Sequence, residues 1–379
     1  MISYKYKLYH NKNNKHLDAM LREACFVWNH ALALQKRYYA LYKAFIPSAK
    51  MQKHFAKRIK RNLLHSQSVQ EILQRLDIAY NRFFKHVSKR PPKFKKSKDF
   101  CSFVFKQSGF RLNSNELTIT RLKKRYRFSY SRPYEGRIKM LRIKRSHLGE
   151  FYAYIITDGQ PKPYAKSHNG ASIGIDFGLK TYMTLSNGEQ IDHPQFLKRN
   201  LKKIRKASRR LSKCQRGSSH RELARKAYCR LQESLVNKRE DFMWKLAHNL
   251  CKRYDYIFIE DLNLQGMVKM WGRKVSDLSH GTFVNTLEQV SKKYGVIIHK
   301  IDRWYASSKM CECGYKNENL ALTDRQWVCP QCGQHHDRDV NAAKNILRKG
   351  ISELVSSGKT NELSNNEGQL CLSQESHVL

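Results

Sequence analysis

Three carboxylates stand where apolar core elements end in an otherwise basic chain. Asp176 lies late in Ser172-Ile-Gly-Ile-Asp-Phe-Gly178, Glu260 closes the run Tyr256-Ile-Phe-Ile259, and Asp339 opens the helical stretch Asp339-Val-Asn-Ala-Ala-Lys-Asn-Ile-Leu347. Carboxylates converging from separate strands and a helix provide hard oxygen ligands for divalent cations. Two such ions, roughly 3.5–4 Å apart, can neutralise the attacking and leaving oxygens of a phosphodiester during cleavage. Each residue also has an ordinary reading. Asp339 could be a helix N-cap, Glu260 could pair with one of many arginines, and Asp176 could cap a turn. All three being incidental is a weaker reading than a shared site. Asp261, Asp302 and Asp337 lie near the same elements and are second-line candidates with mainly structural expectations.

Four thiols form the second constellation. Cys311-Glu-Cys313 is followed by fifteen residues (314–328) and then Cys329-Pro-Gln-Cys332. Thiolates bind Zn²⁺ tetrahedrally, and two cysteine pairs can clamp one ion. Gly314 and Gly333 directly after each pair suit a tight knuckle turn. The first pair has a single intervening residue, a short spacing that would distort its knuckle. His335 and His336 read as surface histidines, with ligand substitution by either as the alternative.

The elements that must position these groups follow from periodicity. Ile2, Tyr4, Tyr6 and Leu8 alternate as one strand. From about His16 to Lys89 apolar residues recur at helical spacing, until Lys89-Arg90-Pro91-Pro92-Lys93 breaks the pattern. Residues 100–157 read as strands, notably 117–120, 137–144 and 151–156. Their many Lys and Arg, with Tyr126, Phe128, Tyr130 and Tyr134 interleaved, suit a nucleic-acid platform at least as well as a solvated face. Pro161-Lys162-Pro163 marks a linker. Strands at 172–178 and 182–186 follow, with a hairpin turn at Asn187-Gly188. Residues 195–253 are helical and dense in cations from Lys198 through Arg230, which suits a helix tracking a polyanion. Tyr256–Ile259 suits a buried parallel strand. A helix near 281–294 stops at Gly295, a strand follows at 296–298, and the last helix ends near Gly350. A strand hairpin followed by strands and helices in βαβ order is the pattern of an RNase H-like fold. From Ile351 the chain is polar and reads as a loose tail.

Composition narrows the partners. The 379 residues allow two or three domains, and 40% hydrophobic content allows real cores. Lys and Arg total 73 against 31 Asp and Glu, a net charge of +42. That excess favours a polyanion, nucleic acid above all, over a membrane surface. Met1–Asn13 has no apolar stretch of a secretory signal, and no apolar run is long enough to span a bilayer. Ten cysteines in a chain this long do not suggest a disulfide scaffold, so the clustered four fit metal binding in a reducing cytosol.

Three ordered segments carry a family resemblance. Gly174-Ile-Asp-Phe-Gly-Leu-Lys180, Phe258-Ile-Glu-Asp-Leu-Asn-Leu264 and His336-Asp-Arg-Asp-Val-Asn-Ala-Ala-Lys-Asn-Ile346 resemble the first, second and third RuvC motifs. With the cysteine segment between the second and third, the chain resembles the TnpB (OrfB) proteins of insertion sequences, relatives of type V CRISPR effectors. Trp28-Asn-His-Ala-Leu32, Lys93-Phe-Lys-Lys96 and Gln107-Ser-Gly-Phe110 fit the family more loosely. The resemblance implies a multidomain α/β protein with an RNase H-like (RuvC) nuclease core, an inserted zinc ribbon, and an N-terminal wedge β-barrel carrying a helical insertion. It implies wedge residues 1–12 and 91–165, a recognition insertion at 13–90, a nuclease domain at 170–303 and 339–350, a ribbon at 304–338 and a disordered tail at 351–379. It makes Asp176, Glu260 and Asp339 a triad for two Mg²⁺ or Mn²⁺ ions, and Cys311, Cys313, Cys329 and Cys332 the ligands of a structural Zn²⁺. The implied activity is transposon-encoded, RNA-guided cleavage of DNA in a bacterial or archaeal cytoplasm. The implied partners are a guide RNA from the transposon end, the DNA duplex and its displaced single strand, with pairing supplying sequence specificity.

Competing functions are a guide-RNA-binding regulator without cleavage, a zinc-ribbon protein that binds RNA structurally, and a strand-transfer transposase. The intact triad speaks against the first. The second gives no reason for acids at the tips of core elements. The third shares the metal chemistry, but no clear catalytic tyrosine machinery is visible.

Overall fold

The computed structural model describes residues 1–59, 63–160, 162–166, 168–321 and 323–357. The chain divides into two compact units, residues 1–161 and 162–379, so the division falls in the proline-flanked segment, whose Pro161 lies outside the described residues.

In the first unit, β1 (Ile2–Lys7) leads into α1 (Asn14–Tyr42), α2 (Ser48–Arg58) and α3 (Ser66–Phe84). Then come β2 (Ser102–Phe105), β3 (Phe110–Asn113), β4 (Glu116–Ile119), β5 (Lys124–Arg127), β6 (Ile138–Arg145) and β7 (Phe151–Thr157). One antiparallel sheet has the order β1-β7-β6-β2 and a second the order β3-β4-β5. Leu8 bridges to Phe128. β7 alternates strictly, with Phe151, Ala153 and Ile155 turned into the core and Tyr152 and Tyr154 more exposed. That core also takes in Leu17, Met20, Leu21 and Trp28 of α1 and Ile72 and Leu76 of α3.

Two remote sequence motifs meet here. The Trp28 indole donates to the Lys93 carbonyl (3.1 Å), and Asn29 and Lys95 exchange two 2.8 Å hydrogen bonds. The Lys95 ammonium sits 4.0 Å from the centre of the Trp28 ring. The expected aromatic platform is corrected in part. Tyr126 and Phe128 are buried to 1% exposure and fill the core, whereas Tyr130 remains exposed. Aromatic rings on a half-buried strand gain more from the core than from water.

The second unit is built on one five-stranded sheet. Its strands are β8 (Ser172–Asp176), β9 (Met183–Leu185), β10 (Gln190–Ile191), β11 (Tyr256–Glu260) and β12 (Ile297–Ile301), in the order β10-β9-β8-β11-β12. The first three run antiparallel, and β8, β11 and β12 run parallel. The β9–β10 turn holds Gly188 at φ +89°. Parallel neighbours require crossovers. Helices α4 (Phe196–Lys213) and α5 (Ser219–Arg253) span the first, and α6 (Leu264–Leu278) and α7 (His280–Tyr294) the second. Beyond β12 come β13 (Gln326–Val328), β14 (His335–Asp337) and α8 (Arg338–Ser356).

β11 is apolar up to Glu260 because both its faces are covered. Ile257 and Ile259 pack with Met243 and Ala247 of α5 and Phe283 and Leu287 of α7. Tyr256 and Phe258 face Ile346, Ile351 and Leu354 of α8. Contact between α8 and the sheet is close enough to dictate glycine twice. A Cβ on Gly174 would lie 2.1 Å from the Ala343 carbonyl oxygen, and one on Gly350 would lie 2.0 Å from the Phe258 ring.

This corrects the expected tail. Gly350 does not stop the last helix, which runs to Ser356 and buries Ile351 and Leu354. Gly350 is there because the helix touches Phe258, not because the chain turns. The remainder of that tail, 358–379, lies outside the described residues. Among the described residues no helix is long and apolar enough to cross a membrane.

Candidate active site

The parallel register pairs Ile175 of β8 with Ile259 of β11, so Asp176 and Glu260 follow side by side at the carboxyl ends of adjacent strands. Such strand ends, where the chain leaves the sheet, commonly form the sites of open α/β sheets. Asp339 occupies the first turn of α8, which packs against β8. Burial pushes the Asp176 carboxyl up to about 7, reinforced by the charges of Asp339 and then Glu260 and opposed by Arg338 and Arg325. Burial likewise raises Glu260 to about 7, with Asp261 adding to it. The three predicted acids therefore share one electrostatic neighbourhood.

Their ordinary alternatives are taken by other residues. Asp337, not Asp339, is the N-cap of α8, accepting from the backbone N–H groups of Asp339 (3.1 Å) and Val340 (2.9 Å). Asp302 accepts from the Trp304 N–H at 2.9 Å, and Asp261 pairs with Arg303. These second-line carboxylates thus have structural roles. Neither Asp176 nor Glu260 has a hydrogen-bond or ion-pair partner among the described residues. Asp339 is held by Arg325, whose guanidinium lies 2.9 and 3.3 Å from its two carboxylate oxygens.

Two half-buried carboxyl groups without a cationic partner of their own make a hard-oxygen site that fits a divalent cation. Among the described residues only the four cysteines bring three or more candidate ligand atoms within 4.8 Å of one another, so the acids do not close on a single point. An open cavity of about 540 Å³ adjoins Glu260 and is lined also by His280, Asn285 and Lys300. His280 is buried beneath Tyr182, with ring centres 5.0 Å apart, and burial holds its imidazole down at about 4.

The cysteines converge despite the short first pair. Cys311 and Cys332 sulfurs are 3.5 Å apart, and those of Cys313 and Cys329 are 3.6 Å apart. Zn–S bonds of about 2.3 Å in a tetrahedron require sulfur separations of roughly 3.8 Å, so the donors fit zinc. At Cys329 burial raises the thiol, but the N–H groups of Cys332 and Gln331 outweigh it and bring it down to about 7, close to thiolate. His336 departs from the expected surface position. It is 7% exposed, stacks on Trp327 at 4.5 Å, and brings Nε2 within 3.1 Å of the Cys311 sulfur. It packs against the cysteine cluster through Cys311. His335 is exposed, as expected.

No motif or spacing points to Arg325 or Arg338. Arg338 donates to the Ala321 carbonyl at 3.1 Å, and its N–H donates to the Arg325 carbonyl at 2.8 Å, fastening the ribbon loop to the start of α8. Arg325 thereby reaches Asp339 from the ribbon side of the sequence. No spacing rule predicts that contact.

A family model described as "Probable transposase", of the OrfB group, matches residues 155–270, and one described as "Cas12f1-like, TNB domain" matches residues 280–346. A Streptomyces pristinaespiralis protein named "Putative RNA-guided DNA endonuclease" is 32% identical over 75% of this chain and 71% of its own length. The chain belongs to the TnpB family. Another relative of this TnpB protein, from Escherichia coli K12 and named "Putative RNA-guided DNA endonuclease InsQ", is 28% identical over 89% of the chain and 90% of its own length. The fold extends the likeness. A Cas12f1 protein solved with its sgRNA and target DNA has a TM-score of 0.57, covering 89% of the TnpB chain and 83% of its own, at 13% identity.

Proposed function

We propose that this TnpB protein is a transposon-encoded, RNA-guided DNA endonuclease whose acids Asp176, Glu260 and Asp339 hold two Mg²⁺ or Mn²⁺ ions. The observation that carries this reading is the meeting of β8, β11 and the first turn of α8, with two carboxyls raised to about 7, in a chain of this family. The five-stranded sheet with its hairpin and parallel half is read as an RNase H-like (RuvC) core, covering residues 170–303 and 339–350, with α8 continuing to Ser356. Residues 304–338 form its zinc ribbon. Residues 1–12 and 91–165 act as a wedge-like β domain, and 13–90 as its helical recognition insertion.

When bound, the metal ions supply charge neutralisation and a lowered pKa for water. The rest is work for the chain. Asp176 and Glu260 lie at the ends of rigid, doubly covered strands, so their oxygens are fixed before substrate arrives. Their burial removes competing water and raises the gain from each cation. Arg325 is near enough to exchange its carboxylate partner for a phosphate oxygen. The basic crossover helices, with Lys198 to Arg230, bear on the nucleic-acid backbone, while guide pairing supplies sequence. Zinc, held by Cys311, Cys313, Cys329 and Cys332, is structural. The chain acts in the cytoplasm, where its nucleic acids are.

Asp176→Ala tests the assignment. Cleavage of a guide-matched duplex should fall by at least about a thousandfold, with co-purifying RNA and target binding retained. Equal loss of binding and cutting would remove the triad from its role. Binding without cleavage by the wild-type chain with Mg²⁺ would favour a regulator instead.

A further inference from the structure

The far ends of α1 and α3 carry an aromatic surface that the catalytic reading leaves unused. Tyr39 lies 5.0 Å from Phe45, and Phe45 lies 5.1 Å from Tyr80 and 5.0 Å from Phe84, centre to centre. Tyr80 packs against the core, but the rings around it do not. Tyr39 is 46% exposed, Tyr42 64% and Phe84 48%. Contiguous exposed apolar surface of this kind marks an interaction site.

Charge indicates what covers it. Lys43 caps α1, Lys85 caps α3, and Arg82 stands in the last turn of α3. Between residues 36 and 90 the only acids are Glu71 and Asp77, and Glu71 is already paired with Arg75. A second copy of a chain with net charge +42 would be repelled. Rings set among cations suit a polyanion with flat apolar faces, which means nucleic acid with unpaired bases. A duplex hides its base faces in its own stack, so only unpaired bases can use the rings. On the RNA-guided reading, the nucleic acid held before any target is met is an RNA.

We infer that Tyr39, Tyr42, Phe45 and Phe84 form a stacking platform for unpaired bases of the resident RNA. Naming RNA as the occupant rests on the RNA-guided reading above. The platform itself rests on the exposed rings and their cationic surround.

The test uses the full chain and three fluorescent probes: a 20-nucleotide oligo(U), the matching oligo(dT) and a 20-base-pair duplex DNA. Base stacking is worth roughly 1–3 kcal/mol per base on alanine substitution. The triple variant Tyr42→Ala, Phe45→Ala, Phe84→Ala should therefore weaken oligo(U) binding about tenfold or more. It should leave duplex affinity and the slope of binding against salt unchanged, because no charge is removed. As a check needing no variant, oligo(4-thiouridine) should crosslink to the peptide spanning residues 39–45 in the wild-type chain. Undiminished oligo(U) binding by a folded variant overturns the inference. So does a loss confined to oligo(dT), or wild-type self-association that the substitutions abolish. Failure of the RNA-guided reading shows separately, as the absence of any discrete RNA co-purifying with the wild-type chain.

Discussion

Replacing Asp176 with asparagine should stabilise the protein in the absence of Mg²⁺, the reverse of what removing a buried charged group from an ion pair does. Burial, Asp339 and Glu260 hold the Asp176 carboxyl at about 7 instead of its ordinary 3.8. Between those values the folded chain keeps a proton that the unfolded chain has released. Stability is therefore lost as pH rises from about 4 to 7. At ~1.4 kcal/mol per tenfold change in proton affinity, the ionised carboxylate costs ~4 kcal/mol at pH 8. Asparagine copies the protonated form and escapes that cost. We expect Asp176→Asn to be more stable than wild type by ~2–4 kcal/mol at pH 8, and by less than half of that at pH 5. Urea unfolding read by pulse proteolysis, compared between variant and wild type at each pH, measures it. The buffer must lack Mg²⁺ but leave structural zinc in place. Adding Mg²⁺ should then stabilise wild type and not the variant. An asparagine variant no more stable than wild type at pH 8, or one whose gain ignores pH, would refute the shared acidic neighbourhood.

The remaining expectations address the ribbon, the helix and the arginine. Cys329→Ser should lose about one zinc per chain by mass spectrometry and lower the melting temperature; unchanged zinc content would remove the centre. Gly174→Ala places a methyl 2.1 Å from the Ala343 carbonyl oxygen. It should cost ~3 kcal/mol or more and weaken Mn²⁺ binding seen by paramagnetic resonance, although every ligand is retained. Normal Mn²⁺ binding would show that α8 does not set the site. Arg325→Gln frees Asp339 from a half-exposed ion pair worth ~0.2–1 kcal/mol. Calorimetry should show Mn²⁺ binding tightened by up to about fivefold. Weaker binding would mean that Arg325 positions Asp339 for metal instead of competing for it.

Much of the second unit is legible because its signals are local. Tyr256–Ile259 is apolar at every position, and a strand covered on both faces needs that. Asn187-Gly188 marks the hairpin, and the cysteine spacing announces four converging thiols even with its short first pair. Misreadings arose where one residue type serves two purposes. Gly350 has the look of a helix stop, but its missing side chain makes room for Phe258. Tyr126 and Phe128 alternate with cations like a stacking surface, but the pleat turns them inward. His336 looks like any polar turn residue until Trp327 covers it.

From residue types and spacing alone came the candidate ligands, the strands and helices that carry them, and a charge excess that suits a polyanion. All of these depend on neighbours along the chain or on composition. Tertiary packing decided how closely Asp176, Glu260 and Asp339 share a field, which acids are diverted to caps and ion pairs, and that Arg325 grips Asp339. Those outcomes depend on through-space distance and on water excluded by elements far apart in sequence. A carboxyl's proton affinity responds to both, and no pattern along the chain records either.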